Sequence, residues 1–265
     1  MKLIQIVLNP AESKKLISDA LFRMGCVQKA FKKGILAIHP SSTVYFLYEH
    51  LTGSLPSEGW IFGMVSKDGL CRSKYVAQSL DTGKPARKLW VFREGVLSDP
   101  VPLDAVLQEM GPGDVFIKGC NAIDSYGNAA VLSSSPDKGG TTGKIIRAKA
   151  ERGFKFIVPA GAEKSIPGRL SEVYDFCGKD KADAGGGLAC GVFPVTGGLV
   201  VSETDAIRVL FGADAVVGAG GGVSGAEGSV IVFVRAEEEK CGEILDYFAS
   251  IKGVEIPYAE YVTYN

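Results

Sequence analysis

Residues 113–153, GDVFIKGCNAIDSYGNAAVLSSSPDKGGTTGKIIRAKAERG, contain the pattern on which the fold prediction depends. The apolar run 114–117 follows a Gly-Pro-Gly turn and predicts a short buried strand. A polar segment, a second apolar run at 129–132 and a Gly/Thr-rich turn at 139–143 lead to a basic, alanine-rich helix over 144–152. Because the first N–H groups of a helix lack partners and face the positive end of its dipole, this order of elements predicts an anion-binding loop.

Strand and helix patterns also alternate on both sides of this segment. In chain order they predict a strand at 3–8, a helix at 11–24, a strand at 35–39, a helix at 44–51 and a strand at 154–158. Strands that alternate with helices indicate an α/β fold. We therefore predict a single domain over residues 1–265, Rossmann-like, with a largely parallel sheet flanked by helices.

Residues 54–102 interrupt this alternation. Apolar runs predict strands at 60–65 and 88–92, and a turn is predicted at 82–87, whereas no strong helix is predicted before 103–110. We interpret the whole segment 54–102 as a β-rich insertion, or as a meander at the edge of the main sheet.

The composition argues against a function in nucleic-acid binding or within a membrane. The 265 residues carry a formal net charge of −1, so no overall field attracts nucleic acid or anionic lipid. No apolar run has the length of a membrane span. The six cysteines lie far apart without a Cys-x-x-Cys pair, which favours reduced thiols in a cytoplasmic protein. We predict no metal, because no cluster has ligand spacing, and no cofactor.

Four predicted strands end in polar or glycine-rich loops, at 40–43, 118–121, 159–164 and 218–222. In an open α/β sheet, ligands bind outside the carboxyl ends of the strands. We therefore expect the four loops to converge on one crevice.

Candidate ligand-binding residues are small or polar and lie in these loops or in the Gly/Thr-rich turn. They are Ser41, Ser42, Thr43, Cys120, Asn121, Gly139, Gly140, Thr141, Thr142, Gly220, Gly221 and Gly222. The segment GGTTGK lacks the first glycine and the last Ser/Thr of a Walker motif, and no third glycine completes a dinucleotide fingerprint. A generic anion site remains, with a purely structural turn as the equal alternative.

Candidate catalytic residues are Lys118 and the carboxylates of Asp124, Glu163 and Glu227. Each carboxylate follows or lies within a predicted loop, where it can act as an acid, a base or a nucleophile; the alternative for each is a solvated residue or a helix cap. Lys118 can stabilise developing negative charge. His39 lies two residues before Ser41, a spacing that suggests a serine nucleophile with a histidine base. The sequence shows no acidic partner for this histidine, and a lone histidine is more often structural.

Residues 34–43 (GILAIHPSST), 118–128 (KGCNAIDSYGN) and 158–165 (VPAGAEKS) carry a family resemblance. Together they resemble the superfamily that joins ribose-phosphate isomerase, glucosamine-phosphate deaminase, family I CoA-transferases and the translation initiation factor 2B-like isomerases. The first segment is similar to the early strand and phosphate turn of that superfamily, and the second to its Gly-Ala-Asp strand end. The third is similar to a later strand and polar turn of the factor 2B-like branch.

The resemblance implies a Rossmann-like parallel sheet and a phosphate-bearing ligand, and it does not name a reaction. The chain has Asn121 where the sugar-phosphate isomerases carry an acid–base aspartate, and asparagine cannot exchange a proton as a carboxylate can. Glu227 has glycine but no asparagine beside it, unlike the nucleophilic glutamate of the CoA-transferases.

Two hypotheses of function follow. The first is an isomerase or transferase that acts on a sugar phosphate or on a CoA thioester, with CoA as part of the substrate. The second is a non-catalytic metabolite sensor on the same fold, which Asn121 favours. Neither hypothesis involves nucleic acid or a membrane, and both leave a homo-oligomer open.

Overall fold

The computed structural model of the protein describes residues 1–82 and 89–264. Its α-helices are α1 (Pro10–Arg23), α2 (Gly25–Lys33), α3 (Tyr45–Thr52), α4 (Lys74–Thr82), α5 (Leu103–Glu109), α6 (Gly140–Arg152), α7 (Leu170–Cys177), α8 (Glu203–Phe211) and α9 (Glu238–Ser250). Single 3-10 turns span Ser42–Val44 and Ala162–Lys164. Every helix in the described ranges is too short or too polar to cross a bilayer.

The strands of the described residues fall into four sheets. They are β1 (Lys2–Leu8), β2 (Ile35–Ile38), β3 (Gly63–Ser66), β4 (Gly69–Ser73), β5 (Trp90–Arg93), β6 (Val96–Leu97), β7 (Val115–Ile117), β8 (Ala122–Ile123), β9 (Ala129–Ser133), β10 (Lys155–Pro159), β11 (Gly191–Val195), β12 (Leu199–Val201), β13 (Asp214–Gly221), β14 (Ser229–Ala236) and β15 (Tyr261–Val262).

The central sheet has six strands in the order β12-β10-β7-β2-β5-β6. β12, β10, β7 and β2 run parallel to one another, whereas β5 pairs antiparallel with β2, and β6 antiparallel with β5. The carboxyl ends of the four parallel strands therefore lie at one edge.

The other three sheets are antiparallel, in the orders β1-β14-β13, β11-β9-β8 and β15-β4-β3. The predicted α/β fold is confirmed. A largely parallel, Rossmann-like sheet is not, because the described strands outside the central four pair in antiparallel fashion. Sequence periodicity identifies strands but does not identify their neighbours.

Side-chain alternation along the central strands builds two apolar layers. On β2, Leu36 and Ile38 point to a core shared with α1, α3 and the β1-β14-β13 sheet. Ala37 points to the opposite core, which β7 and β10 complete with Phe116 and Phe156. Because successive side chains of a strand face opposite sides, both faces of the sheet are covered and only its ends remain for a polar site.

Residues 54–102 take part in two different sheets. β4 pairs with β15 on one side and with β3 on the other, whereas β5 and β6 extend the central sheet at its edge. The sequence pattern predicts no strong helix in this segment, and that prediction is wrong, because α4 lies within it. The apolar residues of α4 recur at helical spacing. The turn predicted at 82–87 and the start of the strand predicted at 88–92 fall on 83–88, outside the described residues.

Candidate functional site

The site lies where β2, β7, β10 and β12 end. β2 leads to the 3-10 turn Ser42–Val44, which continues directly into α3, and β10 leads to the 3-10 turn Ala162–Lys164. β12 leads to α8, whose start carries a Ser202 and Asp205 capping box. The loop 118–121 follows β7, between β2 and β10. Three of the four loops predicted to converge, 40–43, 118–121 and 159–164, therefore follow adjacent parallel strands.

The loops after β2 and β10 are joined by a hydrogen bond. The ammonium group of Lys164 donates to Thr43 Oγ1 at 3.0 Å. Thr43 is fully buried, and its carbonyl oxygen accepts a 3.2 Å hydrogen bond from Ser18 Oγ of α1. Thr43, in the loop after β2, therefore fixes the ammonium group of Lys164, which lies in the loop after β10.

The glycine after Lys118 allows a close approach between the three strand ends. A β-carbon on Gly119 would lie 3.3 Å from Ser41 Oγ, 3.5 Å from the carbonyl oxygen of Pro159 and 3.7 Å from Thr43 Oγ1. Ser41 Oγ is buried and has no hydrogen-bond partner among the described residues. Buried hydroxyls usually have a partner, so this oxygen keeps unused hydrogen-bonding capacity.

Lys118 carries its ammonium group into this cluster. Its only hydrogen bond within the described residues is to the carbonyl oxygen of Gly119, at 3.4 Å, and no described carboxylate pairs with it. Burial lowers the pKa of Lys118 to about 8, and the positive charge of Lys164 acts in the same direction. Lys118 therefore loses its proton at a lower pH than an ordinary lysine does.

Two further side chains at the strand ends are uncharged. Burial raises the pKa of the Cys120 thiol, against the opposing effects of Lys164 and Lys118. Burial, and then the charge of Lys118, lowers the pKa of His39 to about 3. The imidazole packs edge-on against Phe62, with ring centroids 5.1 Å apart. A thiolate nucleophile and a charged imidazole are both disfavoured here.

Glu163 supplies a carboxylate that is buried and lacks hydrogen bonds. Within residues 1–82 and 89–264, both of its oxygens are buried without a hydrogen-bond partner, and the nearest cation is Lys14 of α1, with Nζ 3.8 Å from Oε1. Burial lowers the pKa of Lys14, while Glu163 opposes that effect. A carboxylate with unused lone pairs can accept a proton or attack an electrophile.

Glu203, at the start of α8, contacts the loop that carries Glu163. Both of its oxygens accept a hydrogen bond from the Ala162 N–H group, at 3.0 and 2.9 Å. Burial raises the pKa of Glu203, and the charge of Glu163 adds to the increase. Glu203 thus fixes the backbone of the loop that carries Glu163.

Other predicted site residues lie outside this cluster. Asp124 accepts hydrogen bonds from the backbone N–H groups of Tyr126, Asn128 and Leu170 and from the Asn128 amide. Although burial alone would raise its pKa, these hydrogen bonds hold the pKa of Asp124 below its ordinary value. Asn121 Oδ1 accepts from the Leu132 N–H at 3.0 Å. Both side chains shape the β8-β9 region.

The Gly/Thr-rich turn begins α6 four residues earlier than predicted, at Gly140. Gly139 has a positive φ of 69° and packs against the ring of Phe193 on β11, and Thr142 is buried. The Gly/Thr-rich turn therefore contacts the β11-β9-β8 sheet. Further along α6, Lys144 forms an ion pair with Asp104 on the outer surface, with 2.7 Å between nitrogen and oxygen.

The glycines at 220–222 form a hairpin end, not the end of a parallel strand. Gly220 and Gly221 pair with β14 in the antiparallel sheet, and Gly222 has a φ of 126°. The returning chain nevertheless reaches the cluster, because a β-carbon on Gly228 would lie 4.0 Å from Glu163 Cβ. Glu227 next to it is exposed.

A comparison with protein-family models found no match, and neither did searches of curated proteins and of solved structures. The superfamily resemblance therefore stays a prediction.

Sequence reasoning missed three members of the cluster: Lys14, Lys164 and Glu203. Lys164 lies beside Glu163 in a loop that was itself predicted to be part of the crevice, so its position was a usable signal. Lys14 and Glu203 lie on helices whose charged residues ordinarily face solvent, and the sequence gives no sign of their burial.

Proposed function

We propose that the protein binds a phosphate-bearing small molecule, a sugar phosphate or a CoA thioester, at the carboxyl ends of β2, β7 and β10. The supporting observation is which groups the lysines of the cluster contact. Lys118 has no described carboxylate partner, and Lys164 is held by the neutral Thr43 hydroxyl. Two lysines with no carboxylate partner in the described part of the chain, beside the Ser41 hydroxyl, match the charge and hydrogen-bonding needs of a phosphate.

In this proposal the protein is an isomerase or a transferase. Glu163 acts as the base or the nucleophile, because its oxygens are free of hydrogen bonds. Lys118 and Lys164 stabilise negative charge that develops on the substrate. Asp124 and Asn121 keep the adjoining loops in place instead of acting on the ligand, since their acceptor atoms are used within the chain.

A thermal-shift experiment tests the binding. A ligand that binds only the folded state raises the melting temperature, so a sugar phosphate or an acyl-CoA should stabilise the protein more than inorganic phosphate does. Lys164→Met should remove this increase, whereas Lys144→Met, on the outer surface, should keep it. An equal response of both variants and the wild type would refute the assignment of the site.

The alternative is a non-catalytic metabolite sensor with the same ligand. The observation in its favour is that Asn121, at the position of the isomerase aspartate, uses its side-chain oxygen to bind Leu132. Glu163→Gln separates the two functions. An enzyme should lose turnover of the stabilising compound and still bind it, whereas a sensor should show no turnover before or after the change.

A further inference from the structure

We propose that Lys118 is a nucleophilic amine that forms an imine with the carbonyl carbon of a phosphate-bearing aldehyde or ketone. This inference rests on the proposed function and narrows its substrate class. It favours open-chain sugar phosphates over CoA thioesters, because only an aldehyde or ketone carbonyl gives an imine with an amine.

The first argument is the difference between the three lysines of the cluster. Lys14 lies 3.8 Å from the Glu163 carboxylate, and Lys164 donates to Thr43 at 3.0 Å. Among the described residues, Lys118 has only the 3.4 Å contact with the carbonyl oxygen of Gly119. Its nitrogen is therefore the least constrained of the three, and no described carboxylate holds it in the protonated state.

The second argument is the surroundings of that nitrogen. Lys118 is partly buried at the end of β7, and a second cation, Lys164, lies close enough to disfavour its charge. Desolvation together with a neighbouring positive charge is the established way to obtain a neutral, reactive lysine at moderate pH. The pKa of about 8 that results leaves more free amine than an ordinary lysine has.

The third argument is that groups able to move protons lie nearby. Glu163 and Lys164 are neighbours in the loop after β10, and Lys164 donates to Thr43 beside Gly119, the residue that follows Lys118. The Glu163 carboxylate has no hydrogen bond that would have to be broken before it takes up a proton. Lys164 and the Ser41 hydroxyl remain to hold the phosphate.

The reaction balances without an added oxidant or reductant. The neutral Nζ of Lys118 attacks the carbonyl carbon, a C–N bond forms, and the π electron pair moves to oxygen, which takes up a proton. The resulting carbinolamine gives up the nitrogen proton and the hydroxyl group as water. The C–O bond breaks as the C=N bond forms, and Glu163 can carry the proton between nitrogen and oxygen.

Borohydride trapping tests the inference. The protein is incubated with dihydroxyacetone phosphate or glyceraldehyde 3-phosphate, reduced with sodium borohydride, and mapped by peptide mass spectrometry. We expect a reduced adduct on Lys118 whose yield rises with pH through about 8. Lys118→Arg should lose that adduct, and Lys144→Arg, a surface control, should keep it. Mapping in the wild type identifies the site even where Lys118→Arg does not fold.

Glycerol 3-phosphate separates this inference from the proposed function, because it carries the phosphate without a carbonyl. If the carbonyl compounds and glycerol 3-phosphate all raise the melting temperature but borohydride fixes nothing on Lys118, the imine is refuted and phosphate binding stands. If there is neither stabilisation nor adduct, both are refuted. An adduct on Lys118 that excess glycerol 3-phosphate suppresses supports both.

Discussion

The carboxylate of Glu163 occupies the space that a side chain on Gly161 would need. Gly161 has a φ of −69° and a ψ of 149°, which any residue adopts without strain. The requirement for glycine at this position is therefore steric, and the three atoms nearest to an added β-carbon all belong to that carboxylate. Two residues of one loop thus determine where the unpartnered charge of the site lies.

Gly161→Ala should displace the Glu163 side chain and leave the fold nearly unchanged. The added methyl group meets the flexible end of a side chain that can rotate, so we expect a loss of stability of about 1 kcal/mol or less. Turnover of the stabilising compound should fall by at least tenfold. Gly111→Ala, where a β-carbon meets nothing within 4 Å, is the matched control. A Gly161→Ala protein with full activity would show that the position of Glu163 is irrelevant.

Glu203 should make the protein less stable as the pH rises. The folded-state pKa of Glu203 is raised, chiefly by burial, so between the unfolded and folded pKa values the folded state binds more protons than the unfolded state. The free energy of unfolding then decreases from about pH 4.3 upward, by about 1.4 kcal/mol for each unit of the increase in pKa. Glu203→Gln should abolish this decrease in urea unfolding measured from pH 4 to 7.5.

The control for that measurement is Glu255→Gln, at an exposed position. The informative quantity is the difference between each variant and the wild type, because other titrating groups contribute equally to both. Curves for Glu203→Gln and the wild type that run parallel over this range would contradict the raised pKa.

Asp124→Ala should reduce stability and spare ligand binding. The Asp124 carboxylate accepts four backbone or amide donors, and the N–H of Leu170 at the start of α7 would be left buried without a partner. We expect a loss of about 3 kcal/mol in the free energy of unfolding. The ligand-induced rise in melting temperature should be retained. Asp137→Ala, on an exposed loop, is the control. Normal stability with lost turnover would instead favour the catalytic role predicted from sequence.

Gly187→Ala should detach the loop 185–188 from β4. The N–H of Leu70 bonds the carbonyl oxygen of Gly186 at 2.9 Å, and the N–H of Leu188 bonds that of Leu70 at 2.8 Å. Gly187 has a φ of 92°, and a β-carbon there would overlap the Leu70 backbone. Hydrogen exchange at the amides of Leu70 and Leu188 should accelerate. Gly185→Ala, with nothing within 4 Å, should leave it unchanged; equal protection in both variants would disprove the contact.

Local sequence was sufficient to predict the strands that position the site. The runs at 35–38, 115–117 and 155–159 are short, apolar and followed by polar or glycine-rich loops, and the rule that ligands gather at carboxyl ends predicted where Ser41, Lys118 and Glu163 would lie. These inferences need no knowledge of distant residues.

Contacts between distant residues could not be predicted in this way. Thr43 and Lys164 meet only because β2 and β10 both neighbour β7, and no local pattern encodes that strand order. For the same reason, alternating helices and strands did not reveal that β1 pairs with β14 in a separate antiparallel sheet. Asp124 was expected at the ligand for its chemistry, although the sequence Asp-Ser-Tyr-Gly-Asn also forms a tight turn that binds the carboxylate.

The pairing of β1 with β14 has a consequence for how the chain is made. Lys2 lies opposite Ala236 and Leu8 opposite Val230, so β1 has no partner strand until β14 has been synthesised. Until then, the buried faces of Ile6 and Leu8 have no sheet to join. Long-range pairing of this kind slows folding and leaves apolar strand edges exposed to other chains during synthesis.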